Sequence, residues 1–144
     1  MTTATTDLGA TVADIYAAFG RGDVPAILAA LSPTVEWDAD PGNYGQRAGV
    51  TALQARRGPD DVAQFFGYLA GCTFHEFTVR ELMTGESSVA AHVHIDFSLP
   101  GGGRLRGPEI HLWTFDGDGK VAAFAHFVDT AKLIAADRGA DTTA

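Results

Sequence analysis

From Gly71 onward the apolar residues of this chain recur at every second position, over four long stretches. These are Thr73–Met83, Ser88–Leu99, Arg104–Phe115 and Lys120–Asp129, set apart by Gly85-Glu86, Pro100-Gly101-Gly102-Gly103 and Asp116-Gly117-Asp118-Gly119. Period two bounded by Gly, Pro and Asp clusters predicts four antiparallel strands joined by turns. Both parities are apolar in places: Ile110 and Leu112 alternate with Trp113 and Phe115, and Ala123, Ala125 and Phe127 with Phe124 and Val128. Helices can cover one face of such a sheet. The other needs its own cover, most simply a second copy, so a homodimer through the sheet is expected.

The first half supplies the helices. Leu8, Val12, Ile15, Tyr16 and Phe19 follow helical spacing, with Thr6 or Asp7 as cap and Gly20 and Gly22 as stop. Asp23 caps a second helix with Pro25 in its first turn, and Ser32-Pro33 ends it. Val35 to Ala39 reads as a short strand and 40–58 as a long loop, of the kind that forms a lid or pocket rim. Gly58-Pro59-Asp60 opens a third helix with Val62, Phe65, Phe66 and Leu69 on its apolar face, and a short final helix runs from Thr130 to Asp137. The order is α+β: helix, helix, strand, helix, four strands, short C-terminal helix. One domain spans residues 8–135, with 1–7 and 136–144 expected as flexible tails. A chain of 144 residues buries roughly two-thirds of its surface on folding, enough for one core.

Eighteen acidic against ten basic side chains leave a net charge of −8, with no basic run. That surface repels phosphates, which argues against nucleic acid and against an acidic membrane, and suits neutral or apolar small molecules. The start has no basic region followed by an apolar stretch, and no apolar run is long enough to span a bilayer. A cytoplasmic protein is expected. The single cysteine, Cys72, reads as a small buried hydrophobe.

Three blocks carry a resemblance: Tyr16-Ala-Ala-Phe-Gly-Arg-Gly-Asp23, Ala30-Leu-Ser-Pro-Thr-Val-Glu-Trp-Asp38 and Ile110-His-Leu-Trp-Thr-Phe-Asp-Gly-Asp-Gly-Lys-Val121. With them the chain resembles the nuclear-transport-factor-2-like fold, in its ketosteroid-isomerase and SnoaL-like polyketide-cyclase branch. The resemblance implies a cone-like curved sheet wrapped by three helices around a deep pocket, usually in a homodimer. It places Ile15, not Tyr16, where steroid isomerases hold an oxyanion-binding tyrosine. Their base aspartate falls on Trp37 or Asp38, and their second oxyanion donor on His111. The steroid-isomerase constellation is thus not reproduced.

The residues themselves suggest a different site. If the last turn pairs Phe115 with Lys120, then His111 faces Phe124 and Glu109 faces His126, with Cβ atoms about 5 Å apart. Glu109, His111, Trp113, Phe124, His126 and Val128 then share one face, which the resemblance makes the pocket face. Two imidazoles and a carboxylate among aromatic rings suit proton transfer. His126 is expected as base supported by Glu109, His111 as donor to an oxyanion, and Asp38 as a further candidate base. Tyr16, Trp37, Phe65, Val93, Ile95, Trp113, Phe124 and Val128 are expected to bind substrate. His92, His94 and Asp96 alternate along one strand. Leu99 paired with Arg104 would bring them to the site as a metal set, whereas a one-residue slip puts Val93, Ile95 and Phe97 there instead. The resemblance favours the slip, so no metal is expected, and no cofactor motif is present. The expected activity is cofactor-independent isomerisation, cyclisation or dehydration of a small apolar carbonyl compound. A non-catalytic dimeric binding module is the alternative.

Overall fold

The computed structural model describes residues 7–144; the Thr-rich start, 1–6, expected as part of a tail, lies outside them. Helix α1 (Leu8–Gly20) begins where the Asp7 carboxylate accepts from the Ala10 N–H at 3.0 Å, and it buries Val12, Ile15 and Ala18. Helix α2 (Val24–Ala29) is capped the same way by Asp23, with Pro25 in its first turn. It stops earlier than expected, because Ser32 and Pro33 belong to strand β1 (Leu31–Trp37). Pro33 sits where the register of β1 slips, between Leu31 and Glu36, a place where a missing N–H costs no ladder bond.

The 40–58 stretch, read as loop from the sequence, holds a four-residue helix α3 (Tyr44–Arg47), a 3-10 turn (Thr51–Leu53) and a two-residue strand β2 (Arg56–Arg57). Elements this short show no hydrophobic period to read. Helix α4 (Pro59–Leu69) follows, then β3 (Thr73–Thr84), β4 (Ser88–Ser98), β5 (Arg104–Phe115), β6 (Val121–Phe127) and α5 (Thr130–Asp137). The sheet order is β2-β1-β6-β5-β4-β3; neighbours run antiparallel except β1 beside β6. Register slips at Phe74/Glu76 and Val79/Glu81 curve β3 against β4. The sheet stays unclosed, and its concave face holds the core.

The Pro100–Gly103 hairpin takes the favoured register: Ser98 faces Arg104 and Val93 faces Glu109. Val93, Ile95 and Phe97 therefore point to the core. His92, His94 and Asp96 point away, where His94 bonds Glu76 and the Arg104 guanidinium grips Asp96 through two bonds of 2.9 Å. Among the described residues no three His, Cys, Asp or Glu side chains converge on a metal position. Nor is any helix long and apolar enough to cross a membrane.

Beyond α5, Thr142 N–H donates to Arg104 O at 2.9 Å and Arg104 N–H to Ala140 O at 3.0 Å, so this segment lies beside β5.

Candidate active site

The last hairpin sets the site, by a different register from the expected one. Gly119 takes φ 76°, Asp116 N–H donates to Lys120 O at 2.9 Å, and Lys120 N–H donates to the Asp116 carboxylate at 3.0 Å, so Lys120 faces Asp116 instead of Phe115. A second slip follows between Thr114 and Phe115. Two slips of one residue restore the original faces but change every partner: Trp113 faces Phe124 and His111 faces His126. Glu109, His111, Trp113, Phe124, His126 and Val128 do line one cavity, as expected.

Asp38 supplies the partner of His126. The residue follows the end of β1, where Trp37 faces Phe124, and it takes φ 50°, in the left-handed region. In a regular strand Trp37 and Asp38 would point to opposite faces; the left-handed residue breaks the alternation, and both reach β6. Trp37 stacks on Phe124 at 4.0 Å between centroids. The Asp38 carboxylate accepts from the His126 backbone N–H at 2.8 Å and bonds its ring Nδ1 at 2.7 Å. Asp38 is 3% exposed. Burial pushes the His126 pKa down, but the Asp38 charge and hydrogen bond outweigh it, and the net shift is upward. With Nδ1–H held by Asp38, Nε2 has no hydrogen-bond partner among the described residues.

Beside this pair runs a second chain. Trp113 Nε1–H donates to Tyr16 Oη at 3.1 Å. The Tyr16 hydroxyl lies 2.7 Å from His111 Nδ1, and His111 Nε2 lies 2.8 Å from Glu109 Oε2. A carboxylate only accepts, so Nε2 carries the ring proton, and Tyr16 donates to Nδ1. Burial lowers the His111 pKa, against the opposing pull of Glu109, and raises that of Tyr16. His111 is therefore a neutral imidazole whose two nitrogens are both engaged. The rings of His111 and His126 meet edge to face at 5.2 Å.

Three expectations change accordingly. Glu109 and His126 share a face but do not bond; Glu109 holds His111. The ring of His111 has no hydrogen left to offer an oxyanion. The carboxylate of Asp38 orients His126 and is not a free base. Of the expected binding residues, Tyr16, Trp37, Phe65, Ile95, Trp113, Phe124 and Val128 line the cavity, while Val93 lies in the core behind it. Sequence reasoning missed Phe74 and Phe77 as wall residues. They stand three apart on β3, and only the slip at Phe74/Glu76 turns both inward. Leu53, in the unread segment, lines it as well.

The cavity has a volume of about 80 Å³, against the roughly 10–15 Å³ that one water needs. Its walls are mostly aromatic and aliphatic carbon, an environment that strengthens electrostatic interactions. Trp37 Nε1, buried in this wall, has no hydrogen-bond partner among the described residues.

Tyr16→Phe tests the second chain. The change deprives Trp113 Nε1–H of its acceptor and His111 Nδ1 of its donor, each left unsatisfied in a buried place. A loss of about 2–3 kcal/mol in urea unfolding is expected.

Comparison with known proteins places this architecture. The chain is similar to a solved structure of a nuclear-transport-factor-2-like protein of unknown function from Burkholderia pseudomallei, with 25% identity, TM-score 0.75, and coverage of 92% of this chain and 98% of that one. It is similar in fold to TerC, co-crystallised with polyporic acid, at 20% identity, TM-score 0.72 and coverage of 92% and 99%. It is also similar in fold to a protein described as a polyketide cyclase from Pseudomonas putida, at 20% identity, TM-score 0.68 and coverage of 92% and 98%. No curated protein matches the chain. The protein thus has the nuclear-transport-factor-2-like fold. Residues 12–124 match the model of the SnoaL-like domain, and the chain belongs to the SnoaL-like family.

Proposed function

We propose that this protein catalyses proton abstraction and return on a small, largely apolar carbonyl compound, in an isomerisation, cyclisation or dehydration that needs no cofactor. The observation that carries this reading is the Asp38–His126 pair opening onto an aromatic cavity. Asp38 fixes the tautomer, so Nε2 is the base that takes the proton and then, as imidazolium beside a carboxylate, returns it. The chain of Trp113, Tyr16, His111 and the Glu109 carboxylate holds the wall beside this pair. The rings exclude water, so the imidazolium forms next to its own counter-ion, Asp38.

The outer face of the sheet, with Phe127 exposed at the end of the interior strand β6, suits a second copy of the chain as partner. A cytoplasmic location is part of the same proposal.

The test follows α-proton exchange of a panel of cyclic and aryl ketones in D₂O by NMR. Exchange well above the uncatalysed rate is expected for part of the panel, and a roughly 10²–10⁴-fold fall in His126→Ala with the fold unchanged. Ketones that bind without exchange would make the protein a binding module instead.

A further inference from the structure

The segment between β1 and α4 closes on the back of the site, and one side chain makes the connection. Gln46, on α3, directs its amide Nε2 at two backbone carbonyls: Asp38 O at 2.8 Å and Leu53 O at 3.0 Å. The reverse amide orientation would set an oxygen against both acceptors, so the two N–H groups are the atoms in place. Gln54 Nε2 in turn donates to Gln46 O at 3.0 Å and Val50 O at 2.9 Å. A Cβ built on Gly45 would stand 2.3 Å from Leu53 Cδ1, so α3 and the 3-10 turn are packed without slack. Segment and site thus form one unit, since Leu53 is itself in the cavity wall.

Asp38 is where this matters. Among the described residues it is the non-glycine residue with positive φ, a conformation that neighbouring structure has to hold in place. Each of its polar groups is committed. Its N–H donates to Phe124 O at 2.8 Å, and its carboxylate holds His126 at two atoms. Its carbonyl is held by Gln46. Three of these bonds run to β6; the fourth comes from outside the sheet and opposes rotation of the peptide that follows Asp38.

We infer that Gln46 is a positioning residue for the site: by gripping the Asp38 carbonyl it keeps that residue in the left-handed conformation from which the carboxylate reaches His126. The inference rests on His126 being the working base. Gln46→Leu keeps the volume and removes both donors.

The experiment is titration of the histidine rings by NMR in the full chain without substrate. The charged and titratable groups that act on His126 are Asp38, Glu109, His111 and Arg56; the substitution removes none of them and meets Asp38 only at its backbone carbonyl. The proton affinity of His126 is expected to fall about three- to ten-fold, as its bond to Asp38 loosens, while that of His111 stays put. A His126 midpoint equal to that of the parent protein, whatever happens to the melting temperature, overturns the inference. If Gln46→Leu does not fold, Gln46→Met, unbranched and also without donors, is measured against the same expectation. The readout needs no turnover. An unchanged titration therefore sinks the role of Gln46 alone, whereas ketone exchange that survives His126→Ala sinks proton transfer alone.

Discussion

Asp38→Ala is expected to cost about 3–5 kcal/mol of stability and to remove ketone exchange as fully as His126→Ala does. The substitution removes the charge from a buried pair and strands what it held: the His126 backbone N–H and its ring Nδ1–H, both facing carbon. Breaking one side of such a pair costs more than the pair is worth, because the remaining group stays buried. The pH dependence gives the check. In the parent protein the His126 pKa is raised, so its contribution is complete below about 6.5, the unfolded value, and is lost as pH rises through the folded value. Without Asp38, burial outweighs the weaker upward pull of Glu109 and the sign reverses: the folded pKa drops, and stability is lost as pH falls. The gap between variant and parent should be widest below about pH 6.5 and narrow above neutrality. His111 already behaves this second way, its pKa lowered by burial, and Asp38 is the smallest of the pulls that oppose this, so the variant changes its contribution little. Urea unfolding at a series of pH values reads this out, and a gap that does not change with pH would show that Asp38 serves the loop and not the histidine.

Gly103→Ala is expected to be the most damaging single methyl in the chain. A Cβ at this position would lie 1.7 Å from Ala136 O and 2.6 Å from its carbonyl carbon. The clash is with backbone at the end of α5, so no rotamer change relieves it, and α5 has to move off the hairpin. About 3 kcal/mol, the upper end of the range for overpacking, is the expected cost, or a fall in melting temperature of about 10 °C. Gly101→Ala is the control. It stands two residues away in the same turn with nothing within 4 Å, and should be close to neutral. Equal effects of the two would mean that α5 is not seated against this turn.

The sequence by itself determined the long elements and the wall of the cavity that β5 and β6 supply. Period two from Thr73, the Gly-rich turns and the Asp7, Asp23 and Asp129 caps are local signals, and local chemistry answers them: α5 and β5 run over the stretches expected. Parity did the same for the site. Glu109, His111, Trp113, Phe124, His126 and Val128 share a face because side chains alternate, and this survives any even slip in pairing.

Only the tertiary structure decided who bonds whom. The slip at Gly119 and the one between Thr114 and Phe115 moved His126 from Glu109 to the level of His111, and a slip on β3 brought Phe74 and Phe77 to one wall. Asp38 was seen as one of two neighbours expected on opposite faces. Its φ of 50° put both at the site, held there by Phe124, His126 and Gln46, which lie far away or in a segment without a readable period. Alternation is a property of each residue and can be read along the chain. A bulge, or a backbone angle held by contacts across the fold, depends on which strands and loops finally meet, and that is settled only when the whole sheet has curved over its core.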